Sequence, residues 1–252
     1  MSAPDREQRL VFGEIAEQYD KYRPSYPDAL FDAIVEFGAL HPGDRALEIG
    51  AGTGKATAGF LARGLDVLAL EPSAGMAAVL RAKGVDTQES QFESWTPPAG
   101  GFRLVYAAQA WHWIHGDDRY ERVARALATG GTVALFWNKG REWTGQLGAD
   151  NDAVYAQIAP ALIGGGQWPL DWVLEDLAGC ADLEPPTKRV VTWSRSYTSE
   201  EWVRLLGTNS NHRLLPDEQR SRLQAAVGDV IDRHGGRVDM IYDAEIFLSR
   251  RV

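Results

Sequence analysis

The chain has 252 residues, 44% of them apolar and 24% charged, with 26 Lys plus Arg against 35 Asp plus Glu and a formal net charge of -9. This length suits one large α/β domain with helical additions, and the negative charge argues against a general nucleic-acid-binding surface. No run approaches the roughly 18 consecutive apolar residues of a membrane helix. The single cysteine, Cys180, excludes an internal disulfide and a cysteine-based zinc site. Because the first nine residues are polar and lack an apolar signal-peptide core, we expect a cytoplasmic protein.

The spacing of apolar residues predicts that strands and helices alternate along the chain. Two amphipathic helices come first, at 10–22, which ends before Pro24, and at 28–40, which Asp28 caps. The next elements are predicted in this order: strand 46–49, a helix to about residue 63, strand 67–70, helix 74–83, a weak strand 85–89, strand 104–108, a helix that opens at Asp117 and ends at Gly130, and strand 132–136. Such alternation indicates βαβ units and a mostly parallel, doubly wound sheet.

The pattern changes after Asn138. The remaining elements are predicted as helices at 154–163 and 171–177, a strand at 189–193, a helical segment from Ser199 to His234 and a strand at 240–248. Late strands of this kind commonly form an antiparallel edge, which gives an α/β fold with a seven-stranded sheet. The stretch Gly164–Gly166 is a candidate hinge for a lid, with a plain loop as the alternative.

A glycine loop follows the first strand, where open α/β sheets bind nucleotides. A phosphate-binding P-loop fails at two positions, because its first glycine falls on Ile49 and its hydroxyl residue on Ala56. A dinucleotide fingerprint is disfavoured, because Lys55 stands where its third glycine belongs. The remaining pattern has Glu48 before the glycines and Glu71 about 20 residues on, where a carboxylate can accept both hydroxyls of an adenosine ribose. S-adenosylmethionine combines an adenosine and an α-amino group without phosphates.

Three motifs together resemble the class I S-adenosylmethionine-dependent methyltransferases. They are Glu48-Ile49-Gly50-Ala51-Gly52-Thr53-Gly54, Glu71-Pro72-Ser73 with Met76 behind it, and Gln109-Ala110-Trp111-His112-Trp113. The segment Phe12–Pro27 is similar to the N-terminal cap helix of the small-molecule branch, which includes the trans-aconitate methyltransferase-like group. The resemblance covers Phe12 to about Asn138, whereas residues 140–235 match only in general architecture.

The resemblance implies one methyltransferase domain over 1–252, with N-terminal cap helices at 1–42, a cofactor-binding core at 43–138, and substrate-side insertions and final strands at 139–252. The implied cofactor contacts are Tyr19, Arg23, Glu48, Gly50, Ala51, Gly52, Thr53, Gly54, Glu71, Pro72, Met76, Gln91, Phe92, Glu93, Gln109 and Ala110. Glu48 would orient the cofactor's ammonium, Glu71 would bind the ribose diol, and Phe92 would offer a stacking surface to the adenine. The Asp often found near the adenine is absent here, and Gln91 stands nearest to its place.

The implied substrate pocket contains Tyr22, Tyr26, Trp111, Trp113, Trp137 and Asn138, among which core packing is the alternative for at least one tryptophan. His112 is the candidate base, because a neutral imidazole can accept a proton at physiological pH. The alternative is that His112 only shapes the pocket. No His and carboxylate spacing indicates a metal site.

These features predict methyl transfer from S-adenosylmethionine to a small molecule, or to a modified peptide, with S-adenosylhomocysteine as the product. The leading acceptor is a carboxyl or hydroxyl oxygen. The alternatives are a non-catalytic nucleotide-binding sensor and, third, an NAD-dependent oxidoreductase. We expect neither a nucleic-acid nor a membrane partner, and a monomer or a homodimer.

Overall fold

The computed structural model describes residues 16–98, 101–163 and 169–252. The predicted start of the first helix and the candidate hinge Gly164–Gly166 lie outside these residues. The described helices are α1 (Ala16–Tyr22), α2 (Asp28–Gly38), α3 (Thr57–Leu61), α4 (Ala74–Ala82), α5 (Arg119–Ala126), α6 (Gly145–Ile158), α7 (Trp172–Gly179), α8 (Ser199–Leu206), α9 (Ser210–Arg213) and α10 (Asp217–Arg233), with short 3-10 turns at Trp111–Trp113 and Pro160–Leu162. The strands are β1 (Arg45–Ile49), β2 (Asp66–Leu70), β3 (Asp86–Gln88), β4 (Phe102–Ala108), β5 (Leu127–Gly140), β6 (Thr187–Thr198) and β7 (Arg237–Arg250).

The seven strands form one sheet in the order β3-β2-β1-β4-β5-β7-β6. The pairs β1–β2, β1–β4, β2–β3 and β4–β5 are parallel. The strand order reverses at β1, whose two neighbours are β2 and β4. The α/β class and the doubly wound sheet are confirmed, and the reversal marks the crevice in which such sheets bind ligands.

The last two strands form the predicted antiparallel edge. The Gly130 N–H donates to the Arg251 carbonyl, and the Arg141 N–H donates to the Ile241 carbonyl. Residue numbers therefore rise along β5 as those of the partners fall along β7, which makes the two strands antiparallel. An antiparallel bridge also joins Leu183 to Arg251, just outside β6 and β7. The edge strand β6 carries lysine, arginine and serine at exposed or partly exposed positions, which discourages pairing with another chain.

Several boundaries differ from those predicted. Strand β5 runs over Leu127–Gly140 instead of 132–136, because Gly130 and Gly131, predicted to end a helix, lie inside the strand. The helix before it, α5, ends at Ala126, and α3 begins only at Thr57. Helix α6 occupies Gly145–Ile158 rather than 154–163. Asp28 is the first residue of α2, where its charge faces the positive end of the helix dipole, and no side-chain cap is present there.

The described residues form two compact units. The sheet unit comprises those within 24–138, 169–191 and 244–252, and the helical unit comprises those within 1–23, 139–168 and 192–243. Strands β1 to β4 belong entirely to the sheet unit, whereas β5, β6 and β7 each have residues in both. The prediction of a single domain with internal segments at 1–42, 43–138 and 139–252 stays a prediction.

Each unit has its own apolar core. In the sheet unit the buried cluster includes Leu47, Val105, Trp111, Leu135 and Phe247. In the helical unit the cluster includes Tyr197, Trp202, Leu223, Val227 and Tyr242. Across the described ranges, no helix combines the length and the apolar character that a membrane crossing requires.

Gly59 in α3 gives a test of packing in the sheet unit. A Cβ atom added there would lie 2.2 Å from Cζ of Phe31, whose ring is buried and packs edge-on against Phe60 at 5.0 Å. We expect Gly59→Ala to lower the free energy of unfolding by about 1–3 kcal/mol, because the crowded ring has to shift. Denaturant unfolding measures this change.

Gly179, the last residue of α7, is the matched control. A Cβ atom there would meet nothing within 4 Å, so Gly179→Ala should change stability by less than about 1 kcal/mol, in the favourable direction expected for alanine in a helix. Equal losses in the two variants would contradict the packing argument.

Candidate active site

The candidate site lies in the sheet unit, at the carboxyl ends of β1, β2 and β4. Because neighbouring parallel strands end at the same edge of a sheet, the segments that follow these three strands come together there. They are the glycine loop after β1, Glu71-Pro72-Ser73 after β2, and Gln109–Trp113 after β4. The three motifs found in the sequence therefore meet at one edge of the sheet.

The glycine loop has a backbone that requires glycine. Gly50, Gly52 and Gly54 have φ values of 68°, 60° and 87°, in the left-handed region that side chains disfavour. A Cβ atom at Gly50 would lie 2.7 Å from the Cβ of Ala110, and one at Gly54 would lie 2.8 Å from Leu80. At Gly52 the nearest group would be the Met76 sulfur at 3.8 Å, so the chain leaves room beside the backbone of Gly52.

The amides of this loop are bonded within the protein. Gly50 and Ala51 donate to the Leu70 carbonyl, Gly54 donates to the Ala51 carbonyl, and Gly52 donates to Glu71 Oε2 at 2.8 Å. A phosphate-binding loop instead presents successive N–H groups to its anion. The geometry thus agrees with the sequence argument against a P-loop.

Glu71 connects the glycine loop to the end of β2. Besides the bond from Gly52, its Oε1 accepts the N–H of Ser73 at 2.8 Å. The residue is 5% exposed. Because each carboxylate oxygen can accept more than one hydrogen bond, Glu71 can still receive the two hydroxyls of a ribose. The acceptor chemistry and the bare loop fit the sugar of an adenosine.

Glu48 is buried at the end of β1, with 1% of its surface exposed. Its Oε2 accepts hydrogen bonds from the Tyr106 hydroxyl at 2.8 Å and from the Thr57 hydroxyl. Burial raises the pKa of Glu48 to about 8; the two hydroxyls oppose this shift and the charge of Glu71 adds to it. At neutral pH the protonated form of Glu48 is therefore favoured, and a bound cation would favour its carboxylate.

Gln109 follows β4 directly and has a backbone conformation that is unusual for its residue type. Its φ is 56°, which costs a residue with a side chain of order 1–3 kcal/mol. Its N–H donates to the Phe136 carbonyl at 2.9 Å, and its side-chain amide donates to the Asn138 carbonyl at 3.1 Å. These bonds hold the chain after β4 against the end of β5.

His112 lies in the 3-10 turn that follows. The Nε1–H of Trp137 donates to His112 Nδ1, with 3.2 Å between the nitrogens. Burial lowers the pKa of His112 to about 4. The imidazole is therefore neutral at physiological pH, as the sequence argument requires, but one of its two nitrogens already accepts a hydrogen bond.

The predicted pocket residues divide by burial. Trp111 is fully buried and donates to the Tyr120 hydroxyl at 2.8 Å, and Trp137 is also buried, whereas Trp113 is partly exposed. Tyr26 packs edge-on against Phe136 at 5.0 Å. Asn138 donates from its side chain to the Ser25 carbonyl at 3.0 Å. We assign Trp111 to the core and do not carry it into the pocket proposed below.

The turn after β3 is held by an arginine that the motifs did not reveal. Arg122 Nη2 donates to the carbonyls of Phe92, at 2.9 Å, and Trp95. Phe92 is 2% exposed and packs on Trp111. Gln91 is exposed, and Glu93 accepts the N–H of His115 at 3.3 Å.

Tyr19, Tyr22 and Arg23 belong to the helical unit. Arg23 donates to the Thr208 carbonyl at 3.0 Å, and its guanidinium lies over the Tyr19 ring at 5.3 Å. Tyr22 packs against the apolar core of the same unit. These contacts describe the helical unit by itself.

Thr57, Tyr106 and Arg122 are the main additions to the predicted site. Thr57 opens α3 on the loop side, so the helix start was a usable signal for it. The bond from Tyr106 to Glu48 spans 58 positions, and the bonds from Arg122 to the turn after β3 span about 30. No local pattern could indicate these two contacts, because they arise only when the sheet assembles.

The segment that forms the candidate site also matches a known protein family. A family model described as "Methyltransferase domain" matches residues 46–131, which run from the second residue of β1 into β5. The matched segment contains the glycine loop, Glu71 and the segment after β4.

Two curated relatives are named as methyltransferases. A methyltransferase of Mycobacterium tuberculosis named as uncharacterized is 37% identical over 153 residues, which is 59% of this chain and 61% of the relative. The chain thus spans less than two thirds of that relative's length. A trans-aconitate 2-methyltransferase of Rhizobium meliloti is 26% identical over 230 residues, covering 86% and 88% of the two chains.

Among solved structures, a proposed type II methyltransferase of Anaeromyxobacter dehalogenans aligns over 91% of this chain and 98% of its own, with 22% identity and a TM-score of 0.61. At this identity the likeness shows the fold. The family match and the loop geometry together show that residues 46–131 are similar to a methyltransferase domain, on a fold that solved methyltransferases share.

Proposed function

We propose that the chain transfers a methyl group from S-adenosylmethionine to a small-molecule acceptor, and that the accepting atom is an oxygen of a carboxyl or hydroxyl group. The observation that carries the cofactor half of this proposal is the bond between Gly52 and Glu71, which fixes a buried carboxylate beside bare glycine backbone. The similarity to a trans-aconitate 2-methyltransferase supports the acceptor half. The cytoplasmic location predicted from the sequence belongs to the same proposal.

When bound, S-adenosylmethionine supplies an activated methyl group on a positively charged sulfur. Glu71 would accept the ribose hydroxyls, the backbone of Gly50–Gly54 would contact the cofactor, and Glu48 would pair with its ammonium. The turn at Gln91–Glu93, which Arg122 holds through the Phe92 carbonyl, would contact the adenine. In this scheme the adenine meets the exposed Gln91 and the backbone, because the Phe92 ring is buried.

The chain accelerates the transfer mainly by placing the two reactants. Holding an acceptor in line with the methyl group is worth roughly 7–11 kcal/mol of the barrier in favourable cases, so an acid-base pair is not obligatory. Trp113, Tyr26 and Asn138, at the ends of β4 and β5 and in the segment before α2, form the acceptor side in this proposal. The roles of Tyr19, Tyr22 and Arg23 remain predictions from the sequence.

Transfer of an isotope-labelled methyl group to a panel of small carboxylic acids, trans-aconitate included, and of phenols and alcohols tests the function. Labelled product with a carboxylic acid or hydroxyl acceptor supports the proposal. Tight S-adenosylhomocysteine binding without transfer to any member of a broad panel would favour a non-catalytic sensor. Binding of NAD in place of S-adenosylhomocysteine would favour an oxidoreductase.

The ribose contact of Glu71 gives a sharper prediction. We expect Glu71→Gln to weaken S-adenosylhomocysteine binding by about 10- to 100-fold, the scale of hydrogen bonds to a charged group. Calorimetric titration with S-adenosylhomocysteine and with its 2′-deoxy analogue separates the diol contact from a general effect. The variant should lose much less affinity for the deoxy compound.

Glu89→Gln is the control for that titration, because Glu89 is about half exposed and pairs with Arg81 at 3.7 Å. It removes the same charge and should leave both affinities unchanged. Equal losses for the two ligands in Glu71→Gln would show that Glu71 shapes the loop without contacting the diol.

The buried Glu48 predicts a pH dependence of stability. Its pKa is about 8 in the folded chain against 4.5 for the ordinary group, so the folded state keeps a proton that the unfolded state has already lost. The contribution of Glu48 to the free energy of unfolding is therefore complete below pH 4.5 and is lost as the pH rises to about 8. Over this range the free energy of unfolding falls by up to about 1.4 kcal/mol per pH unit. Glu48→Gln should flatten this decline in denaturant unfolding, and an unchanged slope would contradict the protonated state.

The same proton links Glu48 to the cofactor. If the ammonium pairs with Glu48, binding near neutral pH converts the buried acid to a carboxylate and releases a proton. Calorimetry of S-adenosylhomocysteine binding in buffers of different ionisation enthalpy should detect a release of up to about one proton per site, which Glu48→Gln abolishes. Equal proton release by that variant and the unaltered chain would exclude Glu48 as the source.

A further inference from the structure

The bond between Trp137 and His112 determines which nitrogen of the imidazole carries its proton. An indole N–H can only donate a hydrogen bond, and Trp137 Nε1 lies 3.2 Å from His112 Nδ1. Nδ1 must therefore offer its lone pair to Trp137. A neutral His112 then carries its single proton on Nε2.

Trp137 is itself fixed in the core of the sheet unit. Its ring meets Trp172 edge-on at 6.4 Å and Phe247 edge-on at 5.8 Å, and the residue is buried. A buried indole with these neighbours cannot turn its N–H away without leaving a polar group unpaired, which costs about 1–3 kcal/mol. The donor that faces His112 is thus a fixed part of the fold.

Two cations lie over the rings that pack on Trp137, and each is paired with an acid. Arg119 lies over Trp172 at 5.3 Å and bonds to Asp176 at 2.6 Å. Lys188 lies over Phe247 at 5.4 Å and pairs with Glu245 at 2.7 Å. Burial is the cause of the lowered pKa of His112, about 4, so the imidazole stays neutral throughout the physiological range.

We propose that His112 serves the methyl transfer as a hydrogen-bond donor through Nε2, not as a base, and that Trp137 is the positioning residue that fixes this tautomer. The inference rests on the proposed function and revises the base role expected from the sequence. A base would have to receive a proton at Nδ1, where the Trp137 N–H already points, because Nε2 is protonated.

This role matches an acceptor that has no proton to lose. A lone pair of a carboxylate oxygen forms the new C–O bond while the C–S bond breaks and its electron pair stays on sulfur. The products are a neutral ester and a thioether, and no proton has to be removed. Of the two acceptor groups proposed above, a donor at His112 therefore favours the carboxylate over the hydroxyl.

Nitrogen-15 NMR of the histidine-labelled chain tests the tautomer without any acceptor, with His112→Gln used to assign the signals. We expect His112 to show an unprotonated Nδ1 and a protonated Nε2, with no titration between about pH 5 and about pH 8. Trp137→Phe should shift the signals towards a mixture of tautomers. A protonated Nδ1, or a titration near the ordinary histidine pKa of about 6.5, would overturn the proposal.

His212 in α9 is the internal control. Its Nδ1 faces the side-chain oxygen of Asn211 at 3.0 Å, and its Nε2 lies 2.8 Å from the Tyr155 hydroxyl. An amide oxygen can only accept, so His212 should show the opposite tautomer, with its proton on Nδ1. Opposite patterns for the two histidines in one spectrum would exclude an effect of labelling or pH.

Turnover with the acceptor found in the panel separates donor from base. Glutamine keeps an N–H donor but cannot act as a base, so His112→Gln should retain kcat/KM within about tenfold, whereas His112→Ala should lose about 10- to 100-fold. Losses of about 10²- to 10⁴-fold in both variants would indicate a base and overturn the donor role. Calorimetric binding of S-adenosylhomocysteine to each variant keeps the two proposals distinct, because failure there contradicts the cofactor site and not the tautomer.

Discussion

The candidate site depends on one hydrogen bond, from the Gly52 amide to the Glu71 carboxylate. It joins the loop after β1 to the end of β2 across 19 positions of sequence. The same carboxylate accepts the N–H of Ser73, so its orientation is fixed from both sides before any ligand arrives. A preorganised acceptor of this kind spares a ligand the cost of ordering the loop.

The second carboxyl group at this edge of the sheet is that of Glu48. Its pKa is set mainly by burial, and not by hydrogen bonds from backbone N–H groups. Glu48 lies among apolar strands with two hydroxyl donors, Thr57 and Tyr106, and desolvation outweighs both of them. Two acids less than 25 positions apart in the chain thus have different surroundings. Glu71 accepts two backbone N–H groups, and Glu48 favours its protonated form until a cation compensates its charge.

The tautomer and the pKa of His112 depend on its surroundings in the fold, and the residue type alone determines neither. A histidine after a strand end is a candidate base in any sequence, since neither its tautomer nor its desolvation is visible there. In the proposed scheme the bond from Trp137 fixes the tautomer of His112, and desolvation lowers its pKa. Methyl transfer tolerates this, because the leaving group is a neutral thioether and placement of the reactants supplies much of the acceleration.

Sequence by itself determined the order of strands and helices, the glycine loop with its acids at Glu48 and Glu71, and hence the class of fold. These features follow from local chemistry: the left-handed backbone at the glycines, apolar periodicity and short turns. The boundaries of the elements were harder to predict. Strand β5 extends well beyond its predicted limits, because Gly130 and Gly131 form backbone hydrogen bonds with Arg251.

Only the tertiary structure shows how deeply the predicted residues are buried and which partners they have. Trp111, predicted for the substrate pocket, and Phe92, predicted to face the adenine, are both buried in the sheet unit. The partners of Glu48 and His112 lie 58 and 25 positions away. Burial and long-range pairing depend on how distant strands pack, and that packing sets the protonation of both groups, which no local sequence pattern encodes.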